Sequence, residues 1–163
     1  MRRLVLMRHA KSSWDDPAQG DHDRPLNGRG KRSAKALGNW LRAQTIFIDQ
    51  ALVSSSTRTR ETFQRLNVEC ERVFLERLYH AGPADMFDIL RSATGQTVLM
   101  LGHNPGIAWF ARDLVKRPPN HPRFHDYPTC ATLVVTFDID AWSDLQPRQG
   151  QSQAFVIPRE LTD

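Results

Sequence analysis

Three short apolar runs constrain this chain more than any other feature: Leu4 to Met7, Ala51 to Val53 and Val98 to Leu101. Each run is continuous rather than alternating, so both faces of the strand it forms must be shielded from water. Strands of that kind belong inside a sheet covered by helices on both sides. Each run also leads into side chains that packing does not require. The first ends at Arg8-His9. The second passes through Ser54-Ser55-Ser56 to Arg58 and Arg60, and the third enters Gly102-His103-Asn104-Pro105-Gly106.

The intervening segments supply the helices. From Lys31 to Ala43, Ala34, Leu37, Trp40 and Leu41 share one side, while Lys31, Lys35, Asn39 and Arg42 share the other. A second helix is predicted over Arg58 to Leu66, and Val73 to Leu75 reads as a further strand. Pro83 opens a helix with the apolar face Met86, Phe87, Ile89 and Leu90, in a position where a first turn tolerates proline. Ile107, Phe110, Ala111, Leu114 and Val115 form the clearest helical stripe, which Pro118-Pro119 stops. Asp15 to Gly30 and Arg117 to Pro128 read as loops. Thr132 to Phe137 and Ala154 to Ile157 read as strands with no helix between them, which suits antiparallel additions. The expected fold is therefore α/β: a single three-layer αβα domain over residues 1–163, with a mainly parallel central sheet and antiparallel strands near the C-terminus.

A chain of 163 residues buries enough surface to fold without disulfides, so Cys70 and Cys130 are expected to be reduced packing residues. Neither has the context of a thiol nucleophile. No run approaches the roughly 20 residues of a membrane span. The apolar stretch behind Met1-Arg2-Arg3 is too short for a signal peptide, so a cytoplasmic protein without membrane contact is expected. The net charge of +4 points to an anionic partner: nucleic acid, phosphorylated protein or phosphorylated metabolite.

In open α/β sheets, ligands bind beyond the carboxyl ends of the strands. That rule gathers His9, His103, Arg8 and one of Arg58 or Arg60 at one edge. A guanidinium grips two phosphate oxygens in a planar fork, and the helices starting near Arg58 and Gly106 add free N–H groups. A neutral imidazole can attack phosphorus and divide one displacement into two. Neighbouring cations favour the neutral form, and a second imidazole can donate to the oxygen where charge develops.

Leu4-Val5-Leu6-Met7-Arg8-His9-Ala10 resembles the Arg-His-Gly signature of the histidine phosphatase superfamily, the phosphoglycerate mutase-like fold. Asp23-Arg24-Pro25-Leu26-Asn27-Gly28-Arg29-Gly30 resembles its Pro-Leu-Thr turn. Ser54 through Arg58 to Thr62 is similar to its second signature, and Gly102 to Gly106 to its third. The short length, Ala10 in place of glycine and Lys11-Ser12-Ser13-Trp14 are most similar to SixA-type phosphohistidine phosphatases. The resemblance implies that His9 is the nucleophile and that Arg8, Arg58 and His103 clamp the phosphoryl group, with Arg60 the weaker choice. It implies no metal and no organic cofactor. Larger members carry an acid after the third strand, where this chain has Glu76 followed by Tyr79; the SixA-type branch often lacks that acid, and Glu76 also reads as a surface residue.

The expected activity is hydrolysis through a phosphohistidine intermediate, acting on phosphohistidine in a partner protein. A small-molecule phosphomonoesterase and a non-catalytic phosphate-binding module are the alternatives, and oligomeric state is left open. His22, His80, His121 and His125 lack metal-motif spacing, and most of them are expected to be solvated loop residues. Asn27-Gly28-Arg29-Gly30 is a turn rather than a Walker loop. Trp14 is a candidate for a substrate groove, whereas Trp40 belongs to a core face. The basic face of Lys31, Arg32, Lys35 and Arg42 lacks the interleaved aromatics of a nucleic-acid track, so no nucleic-acid partner is expected.

Overall fold

The computed structural model describes residues 1–162 and contains one six-stranded mixed sheet. The strands are β1 (Arg2–Arg8), β2 (Gln50–Ser54), β3 (Glu71–Leu75), β4 (Thr97–Gly102), β5 (Thr132–Phe137) and β6 (Gln151–Val156). They lie in the order β3-β2-β4-β1-β5-β6. Those from β3 to β1 run parallel, while β5 pairs antiparallel with β1 and β6 with β5. The expected αβα architecture is the one observed.

Burial explains the unbroken apolar runs. Leu4, Leu6, Val98 and Met100 face one core, and Val5, Met7, Leu99 and Leu101 face the other. Helices α3 (Pro83–Arg91) and α4 (Gly106–Leu114) cover the first face through Met86, Leu90, Ile107 and Phe110. Helices α1 (Gly28–Ala43) and α2 (Thr57–Leu66) cover the second through Leu37, Leu41, Phe63 and Leu66, and the short α5 (Arg159–Thr162) lies beside α1. No helix among the described residues is long and apolar enough to cross a membrane. Cys70 and Cys130 are both free, and complete burial pushes the Cys130 thiol up to about 12.

Two differences from expectation bear on the site. The loop expected to reach Gly30 ends at Asn27, whose side chain accepts from Gly30 N–H at 2.8 Å and caps α1. Gly30 lies inside the helix, and position 30 must be glycine because a Cβ there would collide with the Lys11 carbonyl oxygen. The loop after α4 also folds inward rather than running over the surface. Phe124 and Tyr127 are fully buried, and the Tyr127 hydroxyl donates to the Leu6 carbonyl at 2.6 Å. That anchor brings the Tyr127 carbonyl to the end of β1.

Candidate active site

The parallel strands end at a cavity of about 310 Å³. Arg8 closes β1 and His9 follows it, Arg58 stands in the first turn of α2, and His103 follows β4. All four line the cavity. The two imidazoles have ring centroids 5.2 Å apart, and Arg58 directs a guanidinium nitrogen to His103 Nδ1 at 3.4 Å. The His9 backbone is held on both sides, donating to Gly102 O at 3.1 Å and accepting from Cys130 N–H at 2.9 Å.

His9 is set up with one defined ring nitrogen. Its Nδ1 lies 2.7 Å from the Ala10 carbonyl oxygen. A carbonyl only accepts, so Nδ1 carries the proton and Nε2 keeps its lone pair. Ala10 is itself fixed, donating through its N–H to Thr62 Oγ1 at 3.0 Å, while that hydroxyl donates to Arg58 O at 2.7 Å. One threonine thus ties the His9 turn to the helix that carries Arg58. Burial pulls the His9 pKa well below the usual histidine range, and His103, Arg8 and Arg58 add to the effect against the Ala10 hydrogen bond. A lowered pKa keeps the ring neutral to more acidic pH. The NMR signals of the His9 ring are therefore expected to stay unchanged as pH falls from about 8 through the ordinary histidine midpoint near 6.5. A midpoint at or above that value would contradict the neutral nucleophile.

His103 is wedged between two partners. Its Nε2 meets Ser54 Oγ at 2.8 Å, and its Nδ1 accepts from Arg58, so the neutral ring carries its proton on Nε2. Burial, with the Arg58 guanidinium beside it, pulls its pKa to about 3. Arg8 donates to the Tyr127 carbonyl at 3.2 Å, and its pKa is lowered by burial and by the nearby charge of Arg58.

The structure adds residues that the sequence reading did not single out. Asp21, in a single helical turn at Asp21–Asp23, accepts from Arg58 through Oδ2 at 3.0 Å and through its backbone oxygen at 2.7 Å. Its carboxylate also takes the Tyr79 hydroxyl and Arg24 Nε, and these donors hold it far below the usual carboxylate range. Tyr79 is shifted upward by burial and by that same hydrogen bond. Arg24 lies over the Trp14 ring at 3.5 Å, which places Trp14 at the cavity wall as a groove residue. Of this cluster, Trp14 was a groove candidate from the sequence; Asp21 and Arg24 lie on the long Asp15 to Gly30 loop, and Tyr79 lies outside it, after Glu76.

The remaining candidates separate by position. Arg60 points away from the site: its Nε donates to Ser55 O at 2.8 Å, and its guanidinium lies 4.1 Å over Phe74. Glu76 accepts from Ser55 Oγ at 3.2 Å and lies 3.6 Å from His22 Nε2, with its side chain 83% exposed and outside the cavity lining. Glu76→Gln is therefore expected to change turnover of alkyl, aryl and phosphohistidine substrates by less than about threefold, since a general acid would contribute at least a hundredfold. A selective collapse on alkyl phosphates would make Glu76 the leaving-group acid. The histidines expected in solvent divide similarly. His125 is exposed, His121 pairs with Glu160 at 3.2 Å, His22 contacts Ser55 at 3.0 Å, and His80 lines the cavity. Among the described residues, no group of His, Cys, Asp and Glu side chains is placed to hold a metal ion.

Comparison with known proteins adds family relationships to this geometry. The model of the histidine phosphatase superfamily, branch 1, matches residues 4–81, a span that includes Arg8, His9 and Arg58 but stops before His103. An uncharacterised protein of Mycobacterium tuberculosis strain H37Rv is 32% identical over 160 residues, covering 94% of this chain and all of the relative. Phosphohistidine phosphatase SixA of Escherichia coli is 27% identical over 144 residues, covering 83% of this chain and 86% of SixA. A solved Nakamurella multipartitia protein, provisionally assigned as a phosphohistidine phosphatase SixA, superimposes with a TM-score of 0.80 at 30% identity over 96% of both chains.

Proposed function

The chain belongs to the histidine phosphatase superfamily, and from that premise we propose that it removes phosphoryl groups through a phosphohistidine intermediate on His9. One observation carries the reading: a buried, neutral imidazole with its Nδ1 proton committed to Ala10 and its Nε2 unencumbered, in a cavity lined by Arg8, Arg24 and Arg58. In this reading Nε2 attacks phosphorus, the P–N bond forms and the bond to the leaving group breaks. Arg8 and Arg58 hold the equatorial oxygens, with Arg58 exchanging part of its contact with Asp21 for the phosphoryl group. His103 enters neutral. A dianion beside it raises its pKa, so it takes up a proton from solvent, donates through Nδ1 to an equatorial oxygen and returns the proton to solvent once phosphate has left. Water then cleaves the P–N bond, releasing phosphate and returning His9 to its starting state.

For the substrate, we propose phosphohistidine on a partner protein, with the chain acting in the cytoplasm. The similarity to Escherichia coli phosphohistidine phosphatase SixA supports this choice. So does the cavity mouth, where exposed Lys11, Trp14 and His80 can meet a protein-borne group. An N–P bond also needs less help in breaking than an alkyl ester, because the leaving imidazole can be protonated before it departs. The test is a panel of phosphohistidine peptide, phosphoserine peptide, sugar phosphate and aryl phosphate offered to the purified protein. Preference for the phosphohistidine peptide supports the reading. Preference for sugar phosphates would transfer the assignment to a small-molecule phosphomonoesterase, and phosphate binding without turnover would leave a non-catalytic module.

A further inference from the structure

Resting on that phosphatase reading, we propose that His80 is the general acid that protonates the leaving oxygen of phosphate monoesters, and that the site therefore hydrolyses alkyl phosphates as well as phosphohistidine. His80 lines the same cavity as His9 and His103 and is exposed to solvent. Its ring packs on Tyr79 with centroids 4.0 Å apart, and Tyr79 in turn stands 5.4 Å from His103. Among the described residues, nothing hydrogen-bonds to its ring nitrogens, so they are free to approach a substrate.

The position is built into the fold. Leu78 is fully buried and anchors the segment from below. At its far end, Gly106 packs against the Ala81 carbonyl so closely that any Cβ at position 106 would collide with it. This contact fastens the Tyr79–Ala81 segment to the turn between β4 and α4, the turn that carries His103. His80 and the proposed phosphoryl clamp therefore share one rigid support.

The other proton carriers facing the cavity are committed elsewhere. Asp21 is held ionised by Tyr79, Arg58 and Arg24, so it has no proton to give. The Tyr79 phenol donates to Asp21 and is shifted upward, away from acid duty at neutral pH. The guanidiniums of Arg8, Arg24 and Arg58 hold their protons through the reaction, and an ammonium such as that of Lys11 is ordinarily a far weaker acid than an imidazolium. His9 is needed as nucleophile and His103 as clamp. Glu76 turns toward Ser55 and His22. Histidine is the side chain that most readily holds and releases a proton near neutral pH.

The step balances without an outside reagent. As His9 Nε2 bonds to phosphorus, the P–O bond to the leaving group breaks and its electron pair takes the proton from the His80 imidazolium, releasing an alcohol. In the second half, water cleaves the P–N bond and both of its protons stay on the departing phosphate, while neutral His80 regains its proton from solvent. Phosphate leaves, and His80 is again protonated.

The experiment compares wild type, His80→Gln and His80→Ala on an alkyl phosphate, an aryl phosphate and a phosphohistidine peptide across pH. The expected result is a loss on the alkyl phosphate of about a hundredfold or more. Changes on the other two substrates should stay within a few fold. The pH profile of turnover on the alkyl phosphate should differ in shape between wild type and His80→Gln. Added imidazole should restore part of the His80→Ala activity, an effect that a purely structural role would not produce. Equal losses on all three substrates, no loss on any, or a wild type inactive on alkyl phosphates would each overturn the proposal. Trapping a phosphoryl group on His9 with the aryl phosphate tests the underlying phosphatase reading separately, since that leaving group departs without acid.

Discussion

His9→Ala is expected to abolish turnover, with a loss on the order of ten-thousand-fold or more, the scale seen when a covalent nucleophile is removed. The fold should survive. His9 contributes its backbone to the sheet edge through Gly102 and Cys130, and those hydrogen bonds do not involve the ring. The truncation removes the Nδ1 donation to Ala10, but Ala10 N–H keeps its bond to Thr62. Circular dichroism of the variant should match wild type while turnover disappears. Rapid quenching with an aryl phosphate should show an acid-labile phosphoryl group on wild-type His9 and none on the variant. Near-normal activity in a folded His9→Ala protein would mean that the displacement occurs in one step with water.

The next largest losses are expected at the arginines. Arg8→Ala and Arg58→Ala should each remove about 2 to 4 kcal/mol of transition-state stabilisation, like the loss of a preorganised oxyanion donor. That corresponds to losses of roughly 30- to 1,000-fold in kcat/KM. Both should also weaken inhibition by phosphate and vanadate. Arg58→Lys should recover little, because an ammonium cannot reproduce the planar fork that meets Asp21 and the phosphoryl oxygens together. Arg60→Ala is the internal control. Its guanidinium lies on Phe74 outside the cavity, so activity should stay within a few fold of wild type. A large loss at Arg60 with little at Arg58 would reverse the assignment.

The sheet and the centre of the site were legible in the sequence for one reason. A strand buried on both faces must be continuously apolar, so a polar residue at its end stands out. Arg8, His9, Arg58 and His103 all follow such runs, and the strand-end rule brings them to one edge, although it did not separate Arg58 from Arg60; the family resemblance did. Asp21, Tyr79 and His80 escape that logic because their positions depend on tertiary contacts. Asp21 gains its place only when its loop closes onto Arg58. His80 gains its place only through the packing of Ala81 on Gly106. The start of α1 was obscured because Gly28 and Gly30 read as loop residues, whereas Gly30 is required by its proximity to Lys11. β6 begins at Gln151, earlier than expected, because its first residues are polar and lie at an exposed sheet edge.

The strand order has a consequence for how the molecule forms. β4 comes fourth in the chain yet lies between β2 and β1, which share no ladder with each other. Leu4 pairs with Val98, and Ala51 with Leu99, so nearly the first hundred residues must be made before the two early strands acquire their common neighbour. Pairings between residues so distant in sequence incur the loop-closure entropy before they return any contact, which places them late and makes them slow. Completion of the cationic edge is therefore expected late in folding, when β4 joins β2 to β1 and carries His103 to the end of the sheet.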